Sequence, residues 1–146
     1  MEKRIEISKL EPDAYKAMFG LENYLSKTEL EPNLKELIKI RASQINGCAY
    51  CIQMHSEEAM KQGETEQRIF ALSAWKESPL FNDQERAVLN LTEEVTLISK
   101  GGLPKQCYEA ALSVLGKQVL AQAIMQIVTI NVWNRMAVAT HMVHEK

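Results

Sequence analysis

The chain has 146 residues, of which 46% are hydrophobic and 25% are charged, and its formal net charge is −2. This length suffices for one ordinary domain with its own core, and the absence of a basic excess argues against nucleic-acid binding. Three cysteines are too few for a disulfide scaffold, and the first ten residues contain no secretory apolar core. We therefore expect a single domain over residues 1–146, located in the reducing cytoplasm.

Apolar residues recur at helical spacing through most of the chain, and no convincing strand pattern occurs. The spacing predicts an all-α fold, a compact bundle of about six to seven helices. The first four helices are predicted over residues 12–25, 32–46, 48–62 and 64–76. Asn82 or Asp83 caps the next helix, a glycine pair at 101–102 follows it, Gly116 ends another helix, and a long helix covers 117–143.

The helix predicted over 117–143 is the most apolar stretch of the chain. Polar side chains interrupt it at Gln118, Gln122, Gln126, Asn131, Asn134 and Arg135. No apolar run therefore approaches the roughly 20 residues that a bilayer requires, and we expect no membrane span. Such a helix is typical of a core or subunit interface, which predicts a homo-oligomer. Its buried polar side chains must find hydrogen-bond partners.

The residues with the clearest chemistry are Cys48, Cys51 and His55, in the pattern C-x-x-C-x-x-x-H. On a helix they share an arc about 60° wide, and His55 leans back over Cys51. Asn46-Gly47 predicts a turn with Asn46 as N-cap, which places Cys48 in the first helical turn. A helix N-terminus lowers the pKa of a thiol, and an adjacent imidazole can do the same. Both cysteines are therefore candidates for a reactive thiolate; the alternative is two buried thiols beside a core histidine.

Other candidates are better explained structurally. Cys107 belongs to no recognisable motif, and we predict that it is a packing residue. Glu58 could orient His55 from one turn away, but charged neighbours favour a solvated face. His141 and His144 lie near the C-terminus, where fraying helix-end residues are more common than ligands.

A zinc site is the main alternative in chemical terms. Cys48, Cys51, His55 and Glu36 have suitable ligand types, but a structural zinc site of this kind usually has a second pair of cysteines. The chain has no second pair. A metal is therefore not predicted.

Glu36 precedes Cys48 by twelve positions, and Cys51 and His55 follow Cys48 in the C-x-x-C-x-x-x-H pattern. Two later segments complete the pattern: residues 82–87 (NDQERA) and 130–135 (INVWNR). Together they resemble the alkylhydroperoxidase D-like branch of the carboxymuconolactone decarboxylase superfamily, over roughly residues 30–140.

The resemblance implies an all-α oligomer, often a trimer or hexamer, that reduces hydroperoxides by thiol chemistry without a cofactor. It implies that Cys51 is the peroxide-attacking thiolate and that Cys48 is the proton donor and resolving thiol, closing a Cys48–Cys51 disulfide. His55 and Glu36 would form the proton relay. The implied partners are a hydroperoxide and an unidentified thiol or dithiol reductant.

The residues by themselves leave the order of the two thiols open, because the helix-terminal position could make Cys48 the more acidic one, as in thioredoxin-type motifs. The chain also departs from the family pattern at Tyr50, where some members carry a second relay histidine. A general disulfide oxidoreductase and a decarboxylase-like enzyme are the alternative functions.

Overall fold

The computed structural model describes residue 2 and residues 4–144. These residues form seven α-helices and no strand, so the all-α prediction is confirmed. The helices are α1 (Ile7–Leu10), α2 (Pro12–Ser26), α3 (Pro32–Asn46), α4 (Ala49–Lys61), α5 (Glu66–Ala71), α6 (Asp83–Thr96) and α7 (Lys105–Thr140). Short 3₁₀ turns at Leu72–Ala74 and Ile98–Lys100 follow α5 and α6.

The core lies where α3, α6 and α7 pack against one another, and α4 packs mainly against α3. Fully buried aliphatic side chains fill it from all three helices: Leu34, Ile38, Val88, Leu91 and Ile127. Cys107 is a free, buried thiol in this cluster, as predicted for a packing residue. A second cluster joins α3 and α4 to the segment after α5 through Leu37, Ala59, Leu72 and Trp75. Helix α3 therefore contributes to both clusters, and packing against it positions α4.

Helix α7 contains the predicted break at Gly116, where the backbone has φ 73° and ψ 168°. This left-handed φ suits glycine, and the chain is helical on both sides of the break. The helix ends at Thr140 rather than near residue 143, because His141 adopts the left-handed conformation and closes it.

By length and composition alone, α7 is long and apolar enough to cross a membrane, contrary to the expectation from its polar interruptions. Core helices pass the same test, and α7 contributes Leu120, Ala123 and Ile127 to the core. Its composition is therefore only weak support for a membrane span.

The helix predicted over residues 64–76 is shorter in the structure. Thr65 caps α5 through its hydroxyl, and the chain passes into a 3₁₀ turn after Ala71. The carbonyls of Trp75, Lys76 and Ser78 accept hydrogen bonds from the Arg86 guanidinium. The segment after the turn is thus held by a side chain of α6 instead of by helical hydrogen bonds.

The predicted cap of α6 is confirmed at Asn82. Its side chain accepts a hydrogen bond from the Glu85 N–H, while the Glu85 carboxylate accepts one from the Asn82 N–H, both at 2.9 Å. This reciprocal capping box fixes the start of the helix.

Candidate functional site

Cys48 and Cys51 are joined as a disulfide at the start of α4, with their Cα atoms 5.3 Å apart. Cys48 is itself the N-cap, and its Sγ accepts a hydrogen bond from the Cys51 N–H at 3.2 Å. The prediction that Asn46 caps this helix is wrong. Asn46 is the last residue of α3, and Gly47 (φ 66°) makes the left-handed turn between the two helices. The Cys48 sulfur therefore occupies the capping position, where unpaired N–H groups favour a negative charge.

Asn46 does not cap α4 because its side chain forms hydrogen bonds with residues of α7. Its side-chain amide donates to the oxygens of Asn131 (3.0 Å) and Asn134 (2.9 Å). Asn134 in turn donates to the Ser43 hydroxyl, and the Ser43 carbonyl accepts from the Cys48 N–H. The buried Asn131 and Asn134 side chains thus have the partners that burial requires, and they anchor the turn that leads into Cys48.

Both cysteines are buried, with 2% of each residue exposed. They pack against Ala137 of α7, and Tyr50 and Met142 cover the cluster from its edge. The position of Cys48 at the start of the helix therefore does not make it more accessible to solvent than Cys51.

The C-terminal segment lies beside this cluster. The His144 ring stacks on the Tyr50 ring at a centroid distance of 4.2 Å, and its Nε2 donates to the Tyr50 carbonyl at 2.8 Å. His141 Nδ1 donates a hydrogen bond to the Glu2 carbonyl at 3.1 Å. The two histidines are thus tertiary contacts and not the fraying helix-end residues expected from the sequence. His144 holds the segment that carries Met142 against the disulfide.

The buried face of α4 consists of Cys51, His55 and Ala59, one helical turn apart. The predicted pairing of Cys51 with His55 on one face is confirmed. Helix α3 brings the Glu36 carboxylate to this face, and its Oε2 lies 3.6 Å from His55 Nδ1. Spacing alone could not place Glu36 there, because the approach depends on how α3 crosses α4.

Two further charged side chains belong to this group. Glu58 Oε2 lies 3.1 Å from His55 Nδ1, so Glu58 orients the imidazole although its side chain is half-exposed. The sequence had favoured a merely solvated Glu58. Lys39, which the sequence analysis missed, donates to Glu36 Oε1 at 2.8 Å. Its position one turn after Glu36 on α3 was the signal that could have indicated it.

Burial shifts both titrating partners toward their neutral forms. It lowers the pKa of His55 to about 4, with the Lys39 charge acting in the same direction and Glu58 opposing it. Burial also raises the pKa of Glu36, against the opposing effect of Lys39. The imidazole is therefore neutral near pH 7 and a weaker base than an exposed histidine, and the carboxylate beside it can stabilise the charge that forms when it takes up a proton.

Comparisons with known proteins identify the family of the chain and relatives that share its fold. The model of the carboxymuconolactone decarboxylase family matches residues 12–94. The uncharacterized protein YdfG of Bacillus subtilis is 38% identical over 139 residues, 95% of each chain. A protein of unknown function from Agrobacterium tumefaciens, called a candidate antioxidant defence protein AhpD, superposes with a TM-score of 0.96 at 39% identity over 99% of both chains. A peroxidase-related protein from Ralstonia eutropha, called an alkylhydroperoxidase AhpD core, shares the fold: TM-score 0.81, 20% identity, 95% of this chain and 74% of that one.

Proposed function

The chain belongs to the carboxymuconolactone decarboxylase family, in its AhpD-like branch, and on that premise we propose that it is a thiol peroxidase. Its substrate class is hydroperoxides, and Cys48 and Cys51 are the redox pair. The observation that supports this most directly is the cysteine pair at the start of α4, on the helix that also presents a neutral, carboxylate-flanked imidazole.

In the proposed first step, His55 takes the proton of the Cys51 thiol, and the thiolate attacks the terminal oxygen of the hydroperoxide. The O–O bond breaks, and an S–O bond forms. The alkoxide receives a proton from the Cys48 thiol and leaves as the alcohol. Cys51 becomes a sulfenic acid, oxidised by two electrons, while the peroxide is reduced by two.

In the second step, the Cys48 thiolate attacks the Cys51 sulfur. The S–S bond forms, and the sulfenic oxygen leaves as water after taking the proton held by His55. Two molecules of an external thiol, or one dithiol, then return two electrons and two protons to the disulfide and are themselves oxidised to a disulfide. Cys48 and Cys51 are close enough for this condensation, because the structure contains their disulfide.

Glu36 and Glu58 support the proton transfers in different ways. Glu36 is buried and stabilises the imidazolium formed in the first step, and the half-exposed Glu58 orients the ring and connects it to solvent. Lys39 fixes the Glu36 carboxylate from its other oxygen.

A general disulfide oxidoreductase is the second candidate. It is favoured by one observation, the Cys48 sulfur at the N-cap with a hydrogen bond from the Cys51 N–H, which stabilises a Cys48 thiolate. In that case Cys48, not Cys51, would be the attacking sulfur. A decarboxylase-like reaction would leave both thiols without a role.

The test is sulfenate trapping in the C107S background with an organic hydroperoxide, read by mass spectrometry. C48S should accumulate a trapped or over-oxidised Cys51, and C51S should leave Cys48 unreacted. Unmodified Cys51 together with trapped Cys48 would reverse the order and favour the oxidoreductase. Reaction of neither thiol beyond the rate of a free cysteine would rule out the peroxidase.

A further inference from the structure

We infer that Glu36, His55 and Glu58 form a binding site for a divalent transition-metal ion, with Zn²⁺ the best match. The three donor atoms are Glu36 Oε2, His55 Nδ1 and Glu58 Oε2, and all lie within 4.8 Å of one another. Unlike the zinc set considered from the sequence, this one uses neither cysteine. The site is therefore available when the disulfide is closed.

The distances suit a tetrahedral ion. Bonds of 2.0–2.1 Å place two ligand atoms about 3.4 Å apart. The imidazole nitrogen lies 3.6 Å from Glu36 Oε2 and 3.1 Å from Glu58 Oε2. Small side-chain movements would complete the three-ligand set, and the fourth position would belong to water. One imidazole and two carboxylates are ligands that zinc accepts.

A second observation comes from Glu36. Its side chain is 7% exposed, and Oε2 is a buried oxygen that receives no hydrogen bond of normal geometry from the described residues; the Gln62 side chain lies near enough to the Glu36 carboxyl to lower its pKa. A buried carboxylate oxygen without a donor is costly, and a cation is one way to satisfy it. This oxygen is directed at the imidazole because the other one, Oε1, is held by Lys39.

Lys39 does not exclude the ion. Hydrogen bonds to the second oxygen of a ligating carboxylate are a usual feature of metal sites, since they orient the ligand. The two carboxylates carry two negative charges against one positive charge on Lys39, so the site retains a net negative charge. Glu58 is half-exposed and gives the ion a path from solvent.

The bound ion would occupy the imidazole nitrogen and both carboxylates. If the proposed peroxidase function holds, zinc would then withdraw His55 from proton transfer and act as an inhibitor. The binding itself does not depend on that function, so the two proposals fail separately.

The experiment is equilibrium dialysis of the untagged, oxidised C107S protein against Zn²⁺, with Co²⁺ absorption as a second readout of coordination. One ion per chain is expected. H55A and E58Q should each weaken binding by at least tenfold, and E57Q is the matched control, because Glu57 is exposed and bonded only to Gln53 among the described side chains. E57Q should bind like the parent.

Circular dichroism of each variant separates loss of binding from loss of folding. Weakened binding in H55A and E58Q, with helical content equal to that of the parent, supports the site. Stoichiometric binding that E58Q and H55A leave unchanged, or an equal loss in E57Q, would overturn it, as would no binding at micromolar Zn²⁺.

Discussion

The two ends of helix α4 offer opposite surroundings to the groups they carry. At the N-terminal end, the disulfide lies among Ala137, Tyr50 and Met142 and is closed off from solvent. One turn further on, His55 lies among Glu36, Glu58 and, through Glu36, Lys39. The apolar end shields the sulfur atoms from solvent, whereas the charged end places a titratable imidazole next to Glu58, whose side chain reaches solvent. One helix can carry both, because its buried face changes neighbours from α7 to α3 along its length.

We expect the largest effect from replacing His55, the proposed proton acceptor. H55A should lower the rate of Cys51 oxidation by hydroperoxide about 10²- to 10⁴-fold, the usual contribution of a general base. Stopped-flow measurement on the reduced protein gives this rate. Reduction of the disulfide by dithiothreitol should change much less, and an equal loss in both rates would mean that His55 acts on the fold instead.

The burial of His55 also predicts a pH dependence of stability. Above pH 6.5 the imidazole is neutral in both the folded and the unfolded chain, so its titration does not lower the free energy of unfolding there. Between pH 6.5 and about 4 the unfolded chain binds a proton that the folded chain does not, and the free energy of unfolding should fall by up to about 3 kcal/mol.

Urea unfolding of the oxidised protein with EDTA, at pH 7 and pH 4.5, measures this loss. H55Q should show a smaller decrease than the parent over this range. Glu36 acts with the opposite sign, since its pKa is raised, and the comparison between the parent and H55Q isolates the histidine. Identical pH slopes in the two proteins would contradict a buried neutral His55.

A smaller effect concerns the turn that precedes the disulfide. N46A removes a donor from the Asn131 and Asn134 oxygens. The Asn131 oxygen still accepts from Arg135, but the Asn134 oxygen loses the donor shown for it, and an unpaired buried acceptor costs about 1–3 kcal/mol. Thermal or urea unfolding should show this loss. N90A, an asparagine for which the structure gives no such pair of bonds, is the control. Equal stability of N46A and the parent would show that water replaces the amide.

The smallest effect should come from loosening the cover over the apolar end. H144A removes one hydrogen bond and one ring stack, together about 1–2 kcal/mol, so the segment should open about tenfold more often. Faster reduction of the disulfide by a phosphine measures the change. H141A is the matched control, because its ring contacts the Glu2 backbone and not Tyr50. Equal rates in both variants would mean that the C-terminal segment does not limit access.

The sequence by itself determined the helical class, the breaks at Gly47 and Gly116, a helix cap at Asn82 or Asp83 and the shared face of Cys51 and His55. These features depend on near neighbours: turn residues fix backbone angles, and a period of 3.6 residues aligns side chains four apart. Local pattern was sufficient wherever the interacting groups lie within one or two turns of each other.

Only the tertiary structure decided the rest. Asn46 is a favourable capping residue locally, yet partners on α7 engage it and leave the cap to Cys48. His144 reaches Tyr50 across 94 positions, and Glu36 reaches His55 only because α3 crosses α4 at the right place. The shifted pKa of His55 has the same origin, since the desolvation that causes it is supplied by neighbouring helices. Such contacts form between residues that are distant in the chain, and the hydrogen-bonding potential of a side chain does not specify which distant partner will satisfy it.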